Sequence, residues 1–270
     1  MAFQDDDLQI FAAEGAPPLP SADAGGVVDH EGARIWWASY GEGPAVILLH
    51  GGMGHSGNWS WQLPALAGYR AVLIDSRGHG RSTRDDRPYS YELMARDVAA
   101  GMDAAGIERA ALVGWSDGAC TALVLADQAP ERVAGVAFFA CNMDASGTKE
   151  IDGSNPLLGR CFGRHVADYA ALSATPDGFK AMTEAVQTMQ STQPDYTPED
   201  LARIQVPVTV LQAEHDEFIR SEHAAYLART IPGAELVELP GVSHFAPLQR
   251  PALFNAALSG FLTRVWSPGA

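Results

Sequence analysis

The pentapeptide Gly114-Trp115-Ser116-Asp117-Gly118 constrains the fold of this chain more than any other segment. It follows the apolar run 110–113, which predicts a buried strand, and precedes the apolar run 119–125, which predicts a helix. A serine on such a tight turn is held in a strained backbone conformation, so its hydroxyl stands clear to attack a carbonyl carbon. Side chains at Gly114 and Gly118 would collide with the neighbouring strand and helix. A chance match in a loop is the alternative, which the flanking strand and helix disfavour.

Short apolar runs recur on both sides of this motif and predict the strands of a parallel sheet that is buried on both faces. They lie at 46–49, 71–74, 110–113, 136–139, 208–211 and 236–237. Helical patterns separate them, as where Met94, Val98 and Met102 recur four residues apart behind Ser90, a candidate N-cap. Residues 27–37 favour an early antiparallel hairpin. Together these patterns predict an α/β fold.

Two segments break the alternation of strand and helix. Residues 1–26 are rich in Pro, Ala, Gly and Asp without periodicity, and we expect an irregular N-terminal arm there. Residues 142–204 contain no clear buried strand, while Thr175-Pro176 and Thr197-Pro198 each have the pattern of an N-cap followed by proline. We therefore expect a helical cap at 142–204, inserted into a core formed by residues 27–141 and 205–270.

Composition excludes several kinds of partner. The net charge of −15 argues against binding to nucleic acid or to an anionic membrane surface. No apolar run approaches the roughly 20 residues that span a bilayer. The first ten residues carry three aspartates and no basic residue, unlike a secretory signal, and the three cysteines cannot all pair within the chain. We expect a cytoplasmic protein, monomeric or homodimeric, that acts on a small molecule.

A nucleophilic serine needs a base, and the base needs an orienting acid. Asp216 follows the predicted strand 208–211, where such an acid would stand, with Glu214 and Glu217 as neighbouring rivals. Asp144, after the preceding strand, is a further alternative. The base is predicted to be His244, because it is the one histidine between the last predicted strand and the C-terminal helix.

An oxyanion that forms during attack on a carbonyl needs two backbone N–H donors. One is predicted at Asp117, directly after the nucleophile, and the other in the glycine-rich loop 50–54. Within that loop Gly52 is favoured and Met53 is the rival, while His50 is expected to tie the loop down. Asp117, Met53 and Trp115 adjoin the nucleophile and these donors, and are therefore candidate substrate contacts.

Other polar motifs carry weaker signals. The glycine-rich turn 75–82 lacks the spacing of a phosphate-binding loop, so we expect it to stabilise a strand-to-helix connection. His215 and His223 do not have metal-ligand spacing, and burial is a better explanation of Cys120 than reactivity. The sequence thus implies neither a metal nor a cofactor.

From about residue 27 to its C-terminus the chain resembles the α/β-hydrolase superfamily. The matching pieces are His50-Gly51-Gly52, the turn 75–82, Gly114–Gly118, Asp216 and Ser243-His244-Phe245. The resemblance implies a mostly parallel eight-stranded sheet flanked by helices, with a helical cap insertion. It also implies a catalytic triad of Ser116, Asp216 and His244.

The elbow is similar to that of the biphenyl-hydrolase-like family, in which the acidic residue after the nucleophile binds the α-amino group of amino-acid esters. That resemblance implies an amine-binding role for Asp117. A physical argument agrees with it, since a carboxylate beside a developing oxyanion is unfavourable unless a positive charge offsets it. The alternative is that Asp117 complements the dipole of its helix or pairs with Arg160 or Arg164 of the cap.

The sequence therefore predicts a serine esterase that acts on a small carboxylic ester, with α-amino-acid esters as one option. Enol-lactonase, C–C bond hydrolase, lyase and cofactor-free perhydrolase activities are alternatives that use the same constellation. A ligand receptor with slow or no turnover is an alternative outside the enzymes.

Overall fold

Five of the six apolar runs of the sequence form the central strands of one eight-stranded sheet, whereas the run 236–237 lies in a largely exposed edge strand and not in one buried on both faces. The computed structural model describes residues 6–151, 154 and 156–266. The strands are β1 (Ala24–His30), β2 (Ala33–Tyr40), β3 (Ala45–Leu49), β4 (Arg70–Ile74), β5 (Ala110–Trp115), β6 (Val133–Phe139), β7 (Val208–Ala213) and β8 (Glu235–Leu239). Their order is β1-β2-β4-β3-β5-β6-β7-β8, and β2 alone runs antiparallel to both of its neighbours. The predicted α/β fold, with its early hairpin, is confirmed.

Helices cover both faces of this sheet. They are α1 (Asp6–Glu14), α2 (Tyr91–Ala104), α3 (Asp117–Gln128), α4 (Pro156–Leu172), α5 (Phe179–Gln190), α6 (Pro198–Ala202), α7 (Ser221–Thr230), α8 (Ala246–Gln249) and α9 (Pro251–Trp266). Alternate residues of a strand point to opposite faces, so Ile47 and Leu49 of β3 join the layer of α2 and α3. Val46 and Leu48 join the layer of α9. The central strands are therefore buried on both sides, as their sequences predict.

The N-terminal segment corrects one expectation. Residues 6–14 form α1, which packs against α4 and α8, so the prediction of an irregular arm over residues 1–26 is wrong there. Leu8 and Phe11 lie three residues apart on one face of α1, and both are buried. Two apolar residues three positions apart are too short a pattern to predict a helix in a segment whose composition favours irregular structure. Residues 15–23 have no regular structure, whereas residues 24–26 already belong to β1, so the core begins before the predicted boundary at residue 27. Residues 1–5 lie outside the described part of the chain.

Helices α4, α5 and α6 connect β6 to β7, and the described residues between these two strands contain no strand beyond a single bridge from Thr148 to Ile219. The Thr197 hydroxyl caps α6 by accepting a hydrogen bond from the Asp200 N–H, as predicted. Thr175 makes no such cap, because its hydroxyl contacts Tyr169 and Ser173 and only a 3-10 turn follows. Residues 152, 153 and 155 of the predicted cap, and residues 267–270 of the predicted core, lie outside the described residues.

The turn after β4 has the structural role that its sequence predicts. The Asp75 carboxylate accepts hydrogen bonds from the backbone N–H groups of Ser56 (2.7 Å) and Arg81 (2.8 Å). The buried Arg77 guanidinium donates to both oxygens of Asp97 in α2, each at 2.8 Å. These contacts fasten the connection between β4 and α2. Across residues 6–151, 154 and 156–266, no helix has the length and apolar character needed to cross a membrane.

Candidate active site

Ser116 lies at the sharp turn between β5 and α3. Its φ of +53° falls in the left-handed region, which non-glycine residues rarely adopt, so the backbone is strained at the predicted nucleophile. A Cβ atom at Gly114 would lie 2.4 Å from the Cα of Ala119, and one at Gly118 would lie 2.2 Å from the Leu49 carbonyl oxygen. Both glycines are therefore required for the close approach of strand and helix.

His244 and Asp216 form a buried pair after the last two strands. The Nδ1 atom of His244 lies 3.1 Å from each carboxylate oxygen of Asp216. Asp216 Oδ1 also accepts hydrogen bonds from the backbone N–H groups of Phe218 and Ile219, both at 2.9 Å. These donors fix the carboxylate, which in turn orients the imidazole and leaves Nε2 to accept a proton.

The rival acids contact other groups. Glu217 accepts a hydrogen bond from the backbone N–H of His244 (3.0 Å), and Glu214 accepts one from Gly241 (2.7 Å). Asp144 accepts hydrogen bonds from Ser146 and lies 4.0 Å from His223. Among the contacts of the described residues, Asp216 alone of the four acids bonds to the His244 ring.

The electrostatics of the pair suit a general base. Burial disfavours the charged imidazolium, but the carboxylate of Asp216, with those of Glu217 and Asp117, raises the pKa of His244 above its ordinary value of 6.5. Burial also raises the pKa of Glu217, although the N–H of His244 opposes that change. His244 therefore holds a proton more strongly than an exposed histidine does.

The glycine-rich loop after β3 passes close to the elbow. A Cβ atom at Gly51 would lie 3.1 Å from the Cβ of Ser116, and one at Gly52 would lie 2.5 Å from Oδ2 of Asp117. Met53 has a φ of +64°, and the Gly54 N–H donates to the Gly51 carbonyl across the turn. The N–H groups of Gly52 and Met53 thus belong to a tight turn beside Ser116, where either is a candidate oxyanion donor.

His50 fastens this loop, as the sequence predicts. Its Nδ1 donates to the Gly51 carbonyl at 2.8 Å, and its Nε2 accepts from the Ser76 N–H at 3.0 Å. Burial, with a further contribution from His79, lowers the pKa of His50 to about 3. The neutral His50 imidazole, hydrogen-bonded through both of its ring nitrogens, joins the loop to the turn after β4.

The Asp117 carboxylate is 7% exposed and is held by neutral donors. The Tyr91 hydroxyl donates to Oδ1 at 2.7 Å, and the Gln190 amide lies 3.0 Å from both oxygens. No lysine or arginine among the described residues bonds to it, and Arg164 instead pairs with Asp168 within α4. Sequence reasoning missed Tyr91 and Gln190, because nothing in a single sequence indicates that α2 and α5 meet at the elbow.

One cavity of about 500 Å³ brings the predicted residues together. Ser116, His244, Asp117, Gly52, Met53 and Trp115 all line it, while Asp216 lies behind His244. The Trp115 ring packs 6.1 Å from the His244 ring and 5.9 Å from the Phe245 ring. The cap lines the cavity with three apolar side chains, those of Ile151, Leu158 and Phe162. It also contributes Lys149 and three glutamines, Gln187, Gln190 and Gln193.

The structure also describes the surroundings of two weaker candidates from the sequence, a reactive Cys120 and a metal site. Cys120 is fully buried, and burial raises its pKa well above the ordinary value. A buried, protonated thiol is a poor nucleophile, as the sequence interpretation holds. Within the described residues, no three His, Cys, Asp or Glu side chains are grouped as a metal ion would require.

This fold and elbow define a class of proteins, and comparison with known proteins agrees. The family described as the alpha/beta hydrolase fold matches residues 44–156. RutD of Azorhizobium caulinodans, whose name assigns it provisionally to carbamate hydrolysis, is 29% identical over 85% of this chain and 95% of its own length. The chain belongs to the α/β-hydrolase superfamily, and several of its relatives are named as hydrolases.

Solved structures give the same result. Est816, described as an N-acyl homoserine lactone degrading enzyme, is 30% identical, with a TM-score of 0.68 over 87% of this chain and 100% of its own. The enol-lactonase of Burkholderia xenovorans LB400 is 24% identical, with a TM-score of 0.70 over 88% of this chain and 100% of its own. The second likeness supports the fold alone.

Proposed function

We propose that the protein is a serine hydrolase that cleaves a small carboxylic ester through an acyl-enzyme intermediate on Ser116. The observation that carries the proposal is the strained Ser116 in one cavity with a His244 ring that bonds to the buried Asp216. Those three groups supply a nucleophile, a base and an orienting acid at positions typical of the superfamily.

The mechanism follows from these positions. The Ser116 hydroxyl attacks the ester carbonyl while His244 accepts its proton, and Asp216 stabilises the imidazolium that forms. The backbone N–H of Asp117 and that of Gly52, with Met53 as the rival donor, bind the oxyanion. His244 then protonates the leaving alcohol, and a water molecule repeats the sequence to release the acid.

We also propose that the acyl group carries an α-ammonium that pairs with Asp117. The nearly buried Asp117 carboxylate has only neutral hydrogen-bond partners among the described residues, so a substrate ammonium would supply the cation that these residues do not. Oδ2 accepts one described hydrogen bond, from Gln190, so it can accept another. A charge-assisted bond there contributes on the order of 1.5–3 kcal/mol, about ten- to a hundredfold in kcat/KM.

Lactones, which are cyclic carboxylic esters, are the second candidate substrates. The observation in their favour is the 30% identity to Est816 over the whole of that chain. The same groups would open a lactone ring, and the alcohol would stay attached to the product.

The test is a substrate panel with three enzymes: the wild type, Asp117→Asn and a control variant. An α-amino ester, its des-amino analogue and an acyl homoserine lactone are compared by kcat/KM. We expect the wild type to prefer the amino ester about tenfold or more, and Asp117→Asn to lose that preference. Asp144→Asn, which changes a carboxylate outside the cavity lining, is the matched control.

Each alternative gives a different result. If the wild type has no amine preference but turns over simple esters, the protein is a general carboxylesterase. A much higher kcat/KM for the lactone supports the second candidate. A single burst without further turnover identifies a ligand receptor and contradicts the proposal.

A further inference from the structure

Lys149 occupies a fixed position at one end of the cavity. Its backbone N–H donates to the Phe218 carbonyl at 2.7 Å, beside the bridge between Thr148 and Ile219. Its Nζ donates to the backbone carbonyl of Asp216 at 2.6 Å. The residue is therefore held at both ends by the loop that carries the predicted catalytic acid.

The ammonium of Lys149 has capacity for a ligand. Among the described lysines and arginines, Lys149 alone lines the cavity. An ammonium has three donors, and the Asp216 carbonyl is the one acceptor that the described residues provide for it. Ile151, Phe218 and Ile219 line the cavity as well, and apolar walls strengthen an interaction between charges.

The backbone of Lys149 adjoins the wall of the cavity that the Phe218 ring forms beside His244. In the proposed mechanism His244 protonates the leaving oxygen, so the leaving group must lie next to its ring. The Phe218 ring is 4.6 Å from the His244 ring, and Lys149 pairs with the backbone of Phe218. Asp117, by contrast, belongs to the elbow and contacts Tyr91 and Gln190.

We propose that Lys149 forms an anion subsite for the leaving group, so that the enzyme prefers esters whose alcohol portion carries a carboxylate. The inference rests on the proposed function, which it deepens by assigning opposite charges to the two parts of the substrate. The acyl part faces the carboxylate of Asp117, and the alcohol part faces the ammonium of Lys149. A zwitterionic ester fits both ends of the cavity.

If Lys149 only holds the loop in place through its bond to the Asp216 carbonyl, its loss affects anionic and neutral esters equally. Two acetate esters with closely matched leaving groups separate the roles: 4-acetoxybenzoate, which is anionic, and 4-acetoxybenzamide, which is neutral. Each is assayed with the wild type, Lys149→Gln, Lys149→Arg and the control Lys180→Gln, whose lysine lies on α5 and pairs with Glu184. Thermal unfolding of every variant is measured in parallel.

We expect Lys149→Gln to lower the ratio of kcat/KM for the anionic ester to that for the neutral ester by about ten- to a hundredfold. Lys149→Arg retains most of the ratio, and Lys180→Gln retains all of it. Inhibition by the product 4-hydroxybenzoate, measured with the neutral ester, weakens in Lys149→Gln. An equal loss for both esters, or an unchanged ratio, overturns the subsite.

The proposed function fails separately from this inference. Turnover of 4-acetoxybenzamide by the wild type, and its loss in Ser116→Ala, test the nucleophile without any contribution from the anion. If the wild type turns over neither ester, the serine hydrolase proposal and the subsite are both wrong.

Discussion

The carboxyl edge of the sheet and the cap meet in one cavity, but they contribute to it in different ways. Ser116, Asp216 and His244 each follow a strand, and the buried strands β5 and β7 hold the first two in place. Lys149 and Gln190 come instead from the connection between β6 and β7, and each contacts the edge through hydrogen bonds of its side chain. Under the proposed function, the sheet edge supplies the reacting groups and the cap determines which substrates bind.

The largest expected effect is on the sheet side. Ser116→Ala should lower kcat for a simple ester by about 10⁴-fold or more, because only binding and the oxyanion donors remain. The thermal unfolding midpoint should not fall, since a short hydroxyl is removed without loss of packing. Ser191→Ala, which removes an exposed serine from the cap, should behave as the wild type does. Substantial turnover by a folded Ser116→Ala enzyme would break the assignment of chemistry to the elbow.

The next effect separates the acid after β7 from its rival after β6. Asp216→Asn should lower kcat/KM by about 10³- to 10⁴-fold, because an amide neither stabilises the imidazolium nor selects the correct tautomer of His244. Asp144→Asn should stay within about twofold of the wild type, since its carboxylate contacts Ser146 and His223 instead. If Asp144→Asn lowered kcat/KM more than Asp216→Asn did, the catalytic acid would be the one after β6.

The pH dependence of kcat/KM tests the electrostatics of the sheet edge. A general base must be neutral, so activity should fall about tenfold per pH unit below the pKa of His244. The Asp216 carboxylate raises that pKa, so the acid limb should lie above pH 6.5. The measurement is a profile of kcat/KM between pH 5 and pH 9 with a neutral ester. An acid limb at or below pH 6.5 would contradict the raised pKa.

The smallest effect concerns the contact between cap and elbow. Gln190→Ala removes the amide that joins α5 to Asp117 and should raise KM about two- to tenfold with little change in kcat. The matched control is Gln205→Ala, an exposed glutamine whose hydrogen bonds stay within residues 202–205. A fall in kcat without a change in KM would show that this part of the cap acts in the chemical step.

The difference between the sheet edge and the cap also explains which features could be predicted from the sequence. The central strands were predictable because strands buried on both faces need continuous apolar runs, and Ser116 and Asp216 follow two such runs. His244 follows the largely exposed β8, and its place between the last strand and the C-terminal helix made it predictable. Gly114 and Gly118 were interpretable because the turn tolerates no side chain there. These are local signals that a single sequence carries.

The contacts of the cap and of α1 could not be predicted, because they join distant segments without a local pattern. Gln190 lies 73 residues from its partner Asp117, and Lys149 lies 67 residues from Asp216. Helix α1 could not be predicted because, among its residues whose burial the structure describes, Leu8 and Phe11 alone are buried. The packing of the whole molecule decides which of these side chains reach the cavity.

The identity of the residue that becomes acylated tests the central claim most directly. The wild type is mixed with an activated acetate ester, quenched within the first turnover, and examined by intact mass and peptide mapping. The proposed mechanism predicts one acetyl group per chain, located on Ser116 and absent from Ser116→Ala. Acetylation at another residue, or full turnover without any acylated Ser116, would contradict the mechanism.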